Sequence, residues 1–170
     1  MAQFSSLIGP FLDAVETHSK PDQFMRKTAG AWESISGERA RADVEALGLA
    51  LRELGVQRGD RGALLSENRY EWPIAGLAVL GLGAITVPIY PTLTAQQVRF
   101  ILDNAEAKAV VVSSATQLEK IRSVASALPA LMTVIGMNPV PATEGEGGQE
   151  SSGRQKDTTT AAHSTPALPR

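Results

Sequence analysis

Between residues 40 and 135 the apolar positions alternate between helical spacing and strand runs, four of each. Ala40, Val44, Leu47, Leu51 and Leu54 are spaced 4, 3, 4 and 3, the stripe of an amphipathic helix. Gly55 follows where a C-terminal cap belongs, and Arg52 sits in the last turn. Gly62–Ser66 then reads as a strand, Ile74–Leu82 as a buried helix and Ala84–Ile89 as a second strand. Val98, Ile101, Leu102 and Ala105 mark the next helix, and Ala109–Val112 is a short, wholly apolar strand. Leu118, Ile121, Val124 and Leu128 form the last helical stripe, and Leu131–Ile135 closes the pattern as a fourth strand.

The junctions carry their own chemistry. Thr94 with Gln97 and Ser114 with Gln117 have the spacing of capping boxes, in which a hydroxyl and an amide satisfy free N–H groups at a helix start. Asn68 with Glu71 offers a third box, although Pro73 argues for a start nearer Tyr70, because proline is tolerated only in a first turn. Strands alternating with helices of this length predict parallel pairing and right-handed crossovers. The fold class is therefore α/β, a layered parallel sheet with helices on both faces.

The flanks differ. Leu7, Ile8, Phe11, Leu12 and Val15 predict a short helix with Pro10 as a candidate break. Phe24–Lys27 and Ala31–Ser36 around Gly30 read as a hairpin with Trp32 packed on one face. From Asn138 to Arg170 there is no aromatic residue, and Val140 and Leu168 are the only large aliphatics. Such a segment buries too little apolar surface to offset an ordering entropy of about 1–2 kcal/mol per residue. The expected organisation is an α/β domain over residues 1–137 and a disordered tail over 138–170.

Composition narrows function by exclusion. The 170 residues are 43% hydrophobic, enough for a core, with 16 Lys+Arg against 18 Asp+Glu. That balance leaves no basic stripe for nucleic acid and no polybasic membrane patch. With no cysteine there is no disulfide, thiolate nucleophile or thiolate metal site, a composition that suits the cytoplasm. The N-terminal residues lack the basic start and uninterrupted apolar run of a signal peptide. No charge occurs from Trp72 to Val98, long enough to cross a bilayer, but Pro73, Gly81, Gly83, Pro88 and Pro91 interrupt it. A buried helix, a turn and a buried strand account for it better than a membrane span.

Three strings carry a resemblance to a known family. They are Leu54-Gly55-Val56-Gln57-Arg58-Gly59-Asp60-Arg61, Glu67-Asn68-Arg69-Tyr70-Glu71-Trp72, and Gly83-Ala84-Ile85-Thr86-Val87-Pro88-Ile89-Tyr90-Pro91-Thr92. The segment resembles the start of the large domain of adenylate-forming (AMP-binding) acyl-CoA synthetases. The Tyr-Pro-Thr ending points to the long-chain fatty-acid–CoA ligase branch. The match departs at Gly37-Glu38-Arg39-Ala40-Arg41-Ala42-Asp43, where the family's partly apolar first turn is missing, which implies a weakly anchored helix start.

The resemblance implies a two-step reaction. A fatty-acid carboxylate attacks the α-phosphorus of ATP to give acyl-adenylate and pyrophosphate, and the CoA thiol then displaces AMP. It implies ATP, Mg²⁺ and CoA as cofactors of the parent enzyme, with fatty acid as its substrate. It places the protein in the cytoplasm, at most peripheral to the inner membrane surface. The phosphate loop ending in Lys, the aromatic–Gly–Thr–Glu segment, the ribose-binding Asp and the C-terminal-domain Lys have no counterpart from Met1 to Arg170. The expectation is therefore an N-terminal fragment that holds no catalytic, cofactor-binding or metal residue and is inactive by itself. Its uncovered sheet edge further predicts self-association. The alternative is a non-catalytic, flavodoxin-like α/β binding or interaction module.

The remaining candidates read best as bland. Gly145–Lys156 has glycines and a lysine, but Glu146 and Glu150 would repel phosphate and no apolar strand precedes it. His18 and His163 stand alone. Asp103 and Glu106 are expected on a solvated helix end. Asn68, Tyr90–Thr92 and Ser113 fall at the carboxyl ends of successive strands, the edge along which open α/β sheets bind ligands. Helix capping and turn closure are the ordinary roles for such residues.

Overall fold

The structure, a computed structural model, describes residues 6–138. Of the expected tail 138–170, Asn138 is bonded to Arg69 and to the Ser113 carbonyl, and the rest, with Gly145–Lys156 and His163, lies outside the described residues. Helix α1 spans Gly9–His18, followed by a hairpin of β1 (Phe24–Thr28) and β2 (Ala31–Ile35). Then come α2 (Gly37–Glu53), β3 (Arg61–Leu65), α3 (Glu71–Gly81), β4 (Ile85–Ile89), α4 (Ala95–Asn104), β5 (Ala109–Val112), α5 (Ala115–Arg122) and β6 (Thr133–Gly136).

The four later strands form one all-parallel sheet in the order β4-β3-β5-β6. The α/β expectation, with a parallel sheet and helices on both faces, is therefore correct. Successive side chains leave a strand on opposite faces, so each strand divides its residues between two layers. Ala63, Leu65, Val110 and Val112 join Val98 and Leu102 of α4 and Leu118 and Ile121 of α5 in one buried cluster. Leu64, Val111 and Ala109 face the other way, toward Ala75, Ala78 and Val79 of α3 and Ala40 and Val44 of α2. Strands buried on both faces explain why β5 reads as a continuous apolar run. The uncharged stretch 72–98 resolves into the eleven-residue α3, a turn and β4. Among the described residues no helix is long and apolar enough to cross a membrane.

Caps decide the boundaries. Gly55 has φ +91°, its N–H donates to the Arg52 carbonyl, and the Val56 N–H reaches the Leu51 carbonyl. These two bonds close α2 in a Schellman motif, for which a residue without Cβ is needed. Thr94 and Gln97 form the expected reciprocal capping box on α4. At α5 only half of the expected box exists: Ser114 accepts from the Gln117 N–H, but the Gln117 side chain turns elsewhere. The Asn68–Glu71 box is absent. Tyr70 is the N-cap without a side-chain bond, Pro73 falls in the first turn, and Glu71 is drawn away by Arg69.

Three flank expectations are corrected. Pro10 does not break α1 but begins it, where a missing N–H costs nothing. Trp32 does not pack on a face of the hairpin; it is 65% exposed, and the hairpin is instead held by Phe24, edge-on to Tyr70 at 5.6 Å. The start of α2 is anchored despite its polar residues. Ser36 caps the Arg39 N–H, the Gly37 N–H reaches the Lys20 carbonyl, Ala40 is buried, and the Tyr70 hydroxyl donates to Asp43 at 2.9 Å. Burial and that bond push the Tyr70 phenol far above its ordinary range.

Candidate functional site

The carboxyl ends of β3, β4, β5 and β6 lie side by side because all four strands point the same way. The chain therefore brings Ser66–Arg69, Tyr90–Thr92, Ser113–Ser114 and Met137–Asn138 to one edge. Asn68, Tyr90–Thr92 and Ser113 are all where the sequence places them.

A polar network ties the loops together. The Ser113 hydroxyl, 1% exposed, donates to the Glu67 carboxylate. Gln117, also buried, donates through Nε2 to Glu67 Oε1 at 3.0 Å and to the Pro91 carbonyl at 3.1 Å. Arg69 reaches the Ser113 carbonyl at 3.0 Å, Asn138 Oδ1 at 3.1 Å and Glu71 at 2.6 Å. Lys120 donates to the carbonyls of Pro91 at 2.6 Å and Leu93 at 2.9 Å. The Ser113 hydroxyl, the backbone N–H of Glu67 and the Gln117 amide hold the Glu67 carboxyl below its ordinary range. The Arg69 guanidinium does the same for Glu71.

Beside the network, on the β3–β4 side, lies a cleft of about 570 Å³. Ser66, Glu67 and Asn68 line one side, Pro88–Pro91 the other, and Trp72 contributes an aromatic wall. Tyr90 is 78% exposed at its mouth.

What this edge can do follows from its charges. A polyphosphate needs convergent N–H groups and uncommitted cations. Here Arg69 and Lys120 are committed to carbonyls and a carboxylate, and Glu67 adds negative charge at the centre. Neither of these two side chains is left as an uncommitted cation for a polyphosphate. The described residues contain no group of three or more His, Asp or Glu side chains placed to hold a metal ion. Elsewhere, His18 ends α1, and Glu106 occupies a left-handed turn (φ +46°) from which it pairs with Arg61 at 2.7 Å. Glu106 thus closes a turn beside the amino end of β3, a role finer than a merely solvated face.

Sequence reasoning missed Glu67, Arg69, Gln117 and Lys120 as a group. Each has an ordinary local role, and only the parallel crossovers bring positions some fifty residues apart into contact. Gln117 carried the one readable sign, a capping amide on the first turn of a helix that faces the edge.

This architecture is a parallel α/β layer, and the comparisons supply its family. The chain belongs to the AMP-binding enzyme family, whose pattern matches residues 14–168. It is 37% identical over 112 residues to the long-chain-fatty-acid–CoA ligase FadD15 of Mycobacterium bovis, covering 66% of this chain and 19% of that relative. The N-terminal domain of FACL13 from Mycobacterium tuberculosis, solved with an inhibitor, superposes with a TM-score of 0.65 at 27% identity. That match covers 77% of this chain and 33% of the solved chain. The anthranilate CoA ligase AuaEII, solved with anthranoyl-AMP, shares the fold at a TM-score of 0.70 and 21% identity, covering 81% of this chain and 26% of that one. The chain thus spans about a fifth of the length of the FadD15 relative it matches.

Proposed function

We propose that the chain builds the opening βα layer of the large domain of a long-chain fatty-acid–CoA ligase, and that these 170 residues do not catalyse the reaction by themselves. In this reading residues 1–137 belong to that domain and 138–170 lie outside it. Fatty acid, ATP, Mg²⁺ and CoA belong to the parent enzyme, which works in the cytoplasm. The fatty-acyl assignment is supported by the 37% identity to FadD15.

The observation that carries the inactivity is the closed network at the carboxyl edge. Adenylation brings a carboxylate against a polyphosphate, and that repulsion must be offset by aligned N–H groups and cations. The cations at this edge, Arg69 and Lys120, instead hold loops together. The layer supplies a rigid wall, not the charges. Exposed Ile85 on β4 and Val134 on β6, the two edge strands, support self-association of the separate chain.

The test is carboxylate-dependent ATP–pyrophosphate exchange by the purified chain, with fatty acids of several lengths. No exchange above a protein-free control is expected. Exchange that depends on both fatty acid and chain would refute the inactivity.

A further inference from the structure

Away from the sheet, α1 lies across α2 and α3 without covering them completely. Its stripe is only partly buried: Val15 is enclosed, Ile8, Phe11 and Leu12 are half-buried and Leu7 is 76% exposed. Between the three helices runs a groove of about 390 Å³. Its walls are Ile8 just before α1, Leu12 from α1, Leu49 from α2 and Leu82 after α3; Gly48 leaves it open, and Ile8 packs against Gly81. Leu49 is 51% exposed although it stands on the groove wall.

The polar groups divide between the two ends. Glu45, Gly48, Leu49 and Arg52 occupy successive turns along one side of α2, so the lined length is about 12 Å from Val44 to Arg52 at 1.5 Å per residue. At the end nearer the start of α2, Glu45 is paired with Arg41 at 2.8 Å. At the other end, among the described residues, Arg52 makes no salt bridge. The carbonyls of that last turn are already engaged by the Schellman bonds, which leaves the guanidinium as the polar group the groove presents there. The result is an apolar trough with a paired carboxylate at one end and the Arg52 guanidinium at the other.

We propose that this groove binds a single-chain amphiphile with an anionic head, a free alkyl carboxylate, with its chain along Leu49 and Leu82 and its carboxylate on Arg52. Charge complementarity selects the head group: a planar guanidinium matches a carboxylate in a two-pronged hydrogen-bonded pair. The apolar wall selects the tail. The site is on the helical layer and not at the carboxyl edge, so it is independent of the ligase reading, and either can fail alone.

The experiment is calorimetric titration of the full chain, without ATP or CoA, with decanoate below its micelle concentration. Decanol and decyltrimethylammonium serve as neutral and cationic heads on the same tail. Saturable decanoate binding is expected, at least tenfold tighter than either control. Arg52→Gln should remove that preference and leave decanol binding unchanged. Gly48→Leu places a side chain in the trough and should abolish binding of both; Gly48 has room for a Cβ, 3.8 Å from the Ala78 carbonyl. Matching circular dichroism and melting curves establish that the variants fold. Equal affinity for the three heads, or decanoate binding unchanged by both substitutions, overturns the proposal. So does a groove occupied by a second copy, seen as a dimer in sedimentation that binds no decanoate and that Gly48→Leu dissociates.

Discussion

The two faces of the sheet are packed in opposite styles. On the α4/α5 face, large aliphatics interlock: Leu65, Ile89, Val110 and Val112 meet Val98, Leu102, Leu118 and Ile121. On the α2/α3 face, small residues let the helices sit close: Gly62, Ala75, Ala78, Ala40 and Ala109 leave room for Val79 and Val44. A Cβ built on Gly62 would lie 2.8 Å from Val79 Cγ2, inside any normal contact. One face is thus vulnerable to losing volume and the other to gaining it, though both belong to the same four strands. Packing to near-crystalline density is reached by either route.

The largest expected effect is on the interlocked face. Leu102 is 1% exposed and surrounded by Ala63, Val98, Val110 and Ile121. Leu102→Ala should destabilise by about 2–5 kcal/mol, the removed methylenes plus the cavity they leave. Urea denaturation followed by circular dichroism reads it as a lower midpoint at unchanged slope. A loss below about 1 kcal/mol would mean that this face collapses readily and is not interlocked at all.

A smaller effect is expected on the close-packed face. Gly62→Ala adds one methyl against a β-branched partner that cannot swing away. Overpacking costs about 1–3 kcal/mol. Replacing glycine also restricts the unfolded chain, which returns about 0.4–1 kcal/mol. The net is about 1–2 kcal/mol of destabilisation. The discriminating measurement is a cycle with Val79→Ala. If the clash is the cause, Gly62→Ala should be neutral or stabilising once Val79 is trimmed. Two strictly additive losses would break the contrast between the faces.

How far the sequence revealed these faces depended on the range of the interaction. The helices over Ala40–Leu54 and Val98–Ala105 were legible because their stripes and caps are local, as the Schellman close at Gly55 and the Thr94–Gln97 box confirm. Strands β3 and β5 were legible because burial on both faces makes them continuously apolar, and the edge strands β4 and β6, which leave Ile85 and Val134 exposed, as short runs between helices. The spatial order β4-β3-β5-β6 departs from the chain order that the sequence suggested, starting at Gly62–Ser66, because pairing joins residues such as Gly62 and Ala109 far apart in the chain. Trp32 failed for a different reason: an aromatic residue in a strand is usually packed, but a two-stranded hairpin has two faces and little to cover the outer one. At the carboxyl edge, Asn68, Tyr90 and Ser113 were found by position alone. Glu67 was invisible because its partners, Ser113 and Gln117, arrive only through two crossovers.

The smallest expected effect lies where both faces end. Glu67 is exposed as a residue, yet its carboxylate accepts from buried Ser113 and Gln117. Its pKa is held down in the folded state, chiefly by the Ser113 hydroxyl and then by its own backbone N–H and Gln117. A depressed carboxyl contributes stability above its unfolded pKa, near 4.3, and loses it as pH falls through the folded value. Glu67→Gln keeps the shape and can still accept from Ser113. Its new amide, however, opposes the Gln117 amide, donor against donor. Solvent screening at an exposed group reduces the loss to about 0.5–1.5 kcal/mol at pH 7. The gap between Glu67→Gln and the natural chain should therefore be widest near neutrality and close as pH drops below about 4. Melting temperatures across pH 3–7 measure it. A gap that stays constant over that range would show that the charge of Glu67 does not hold the three loops together.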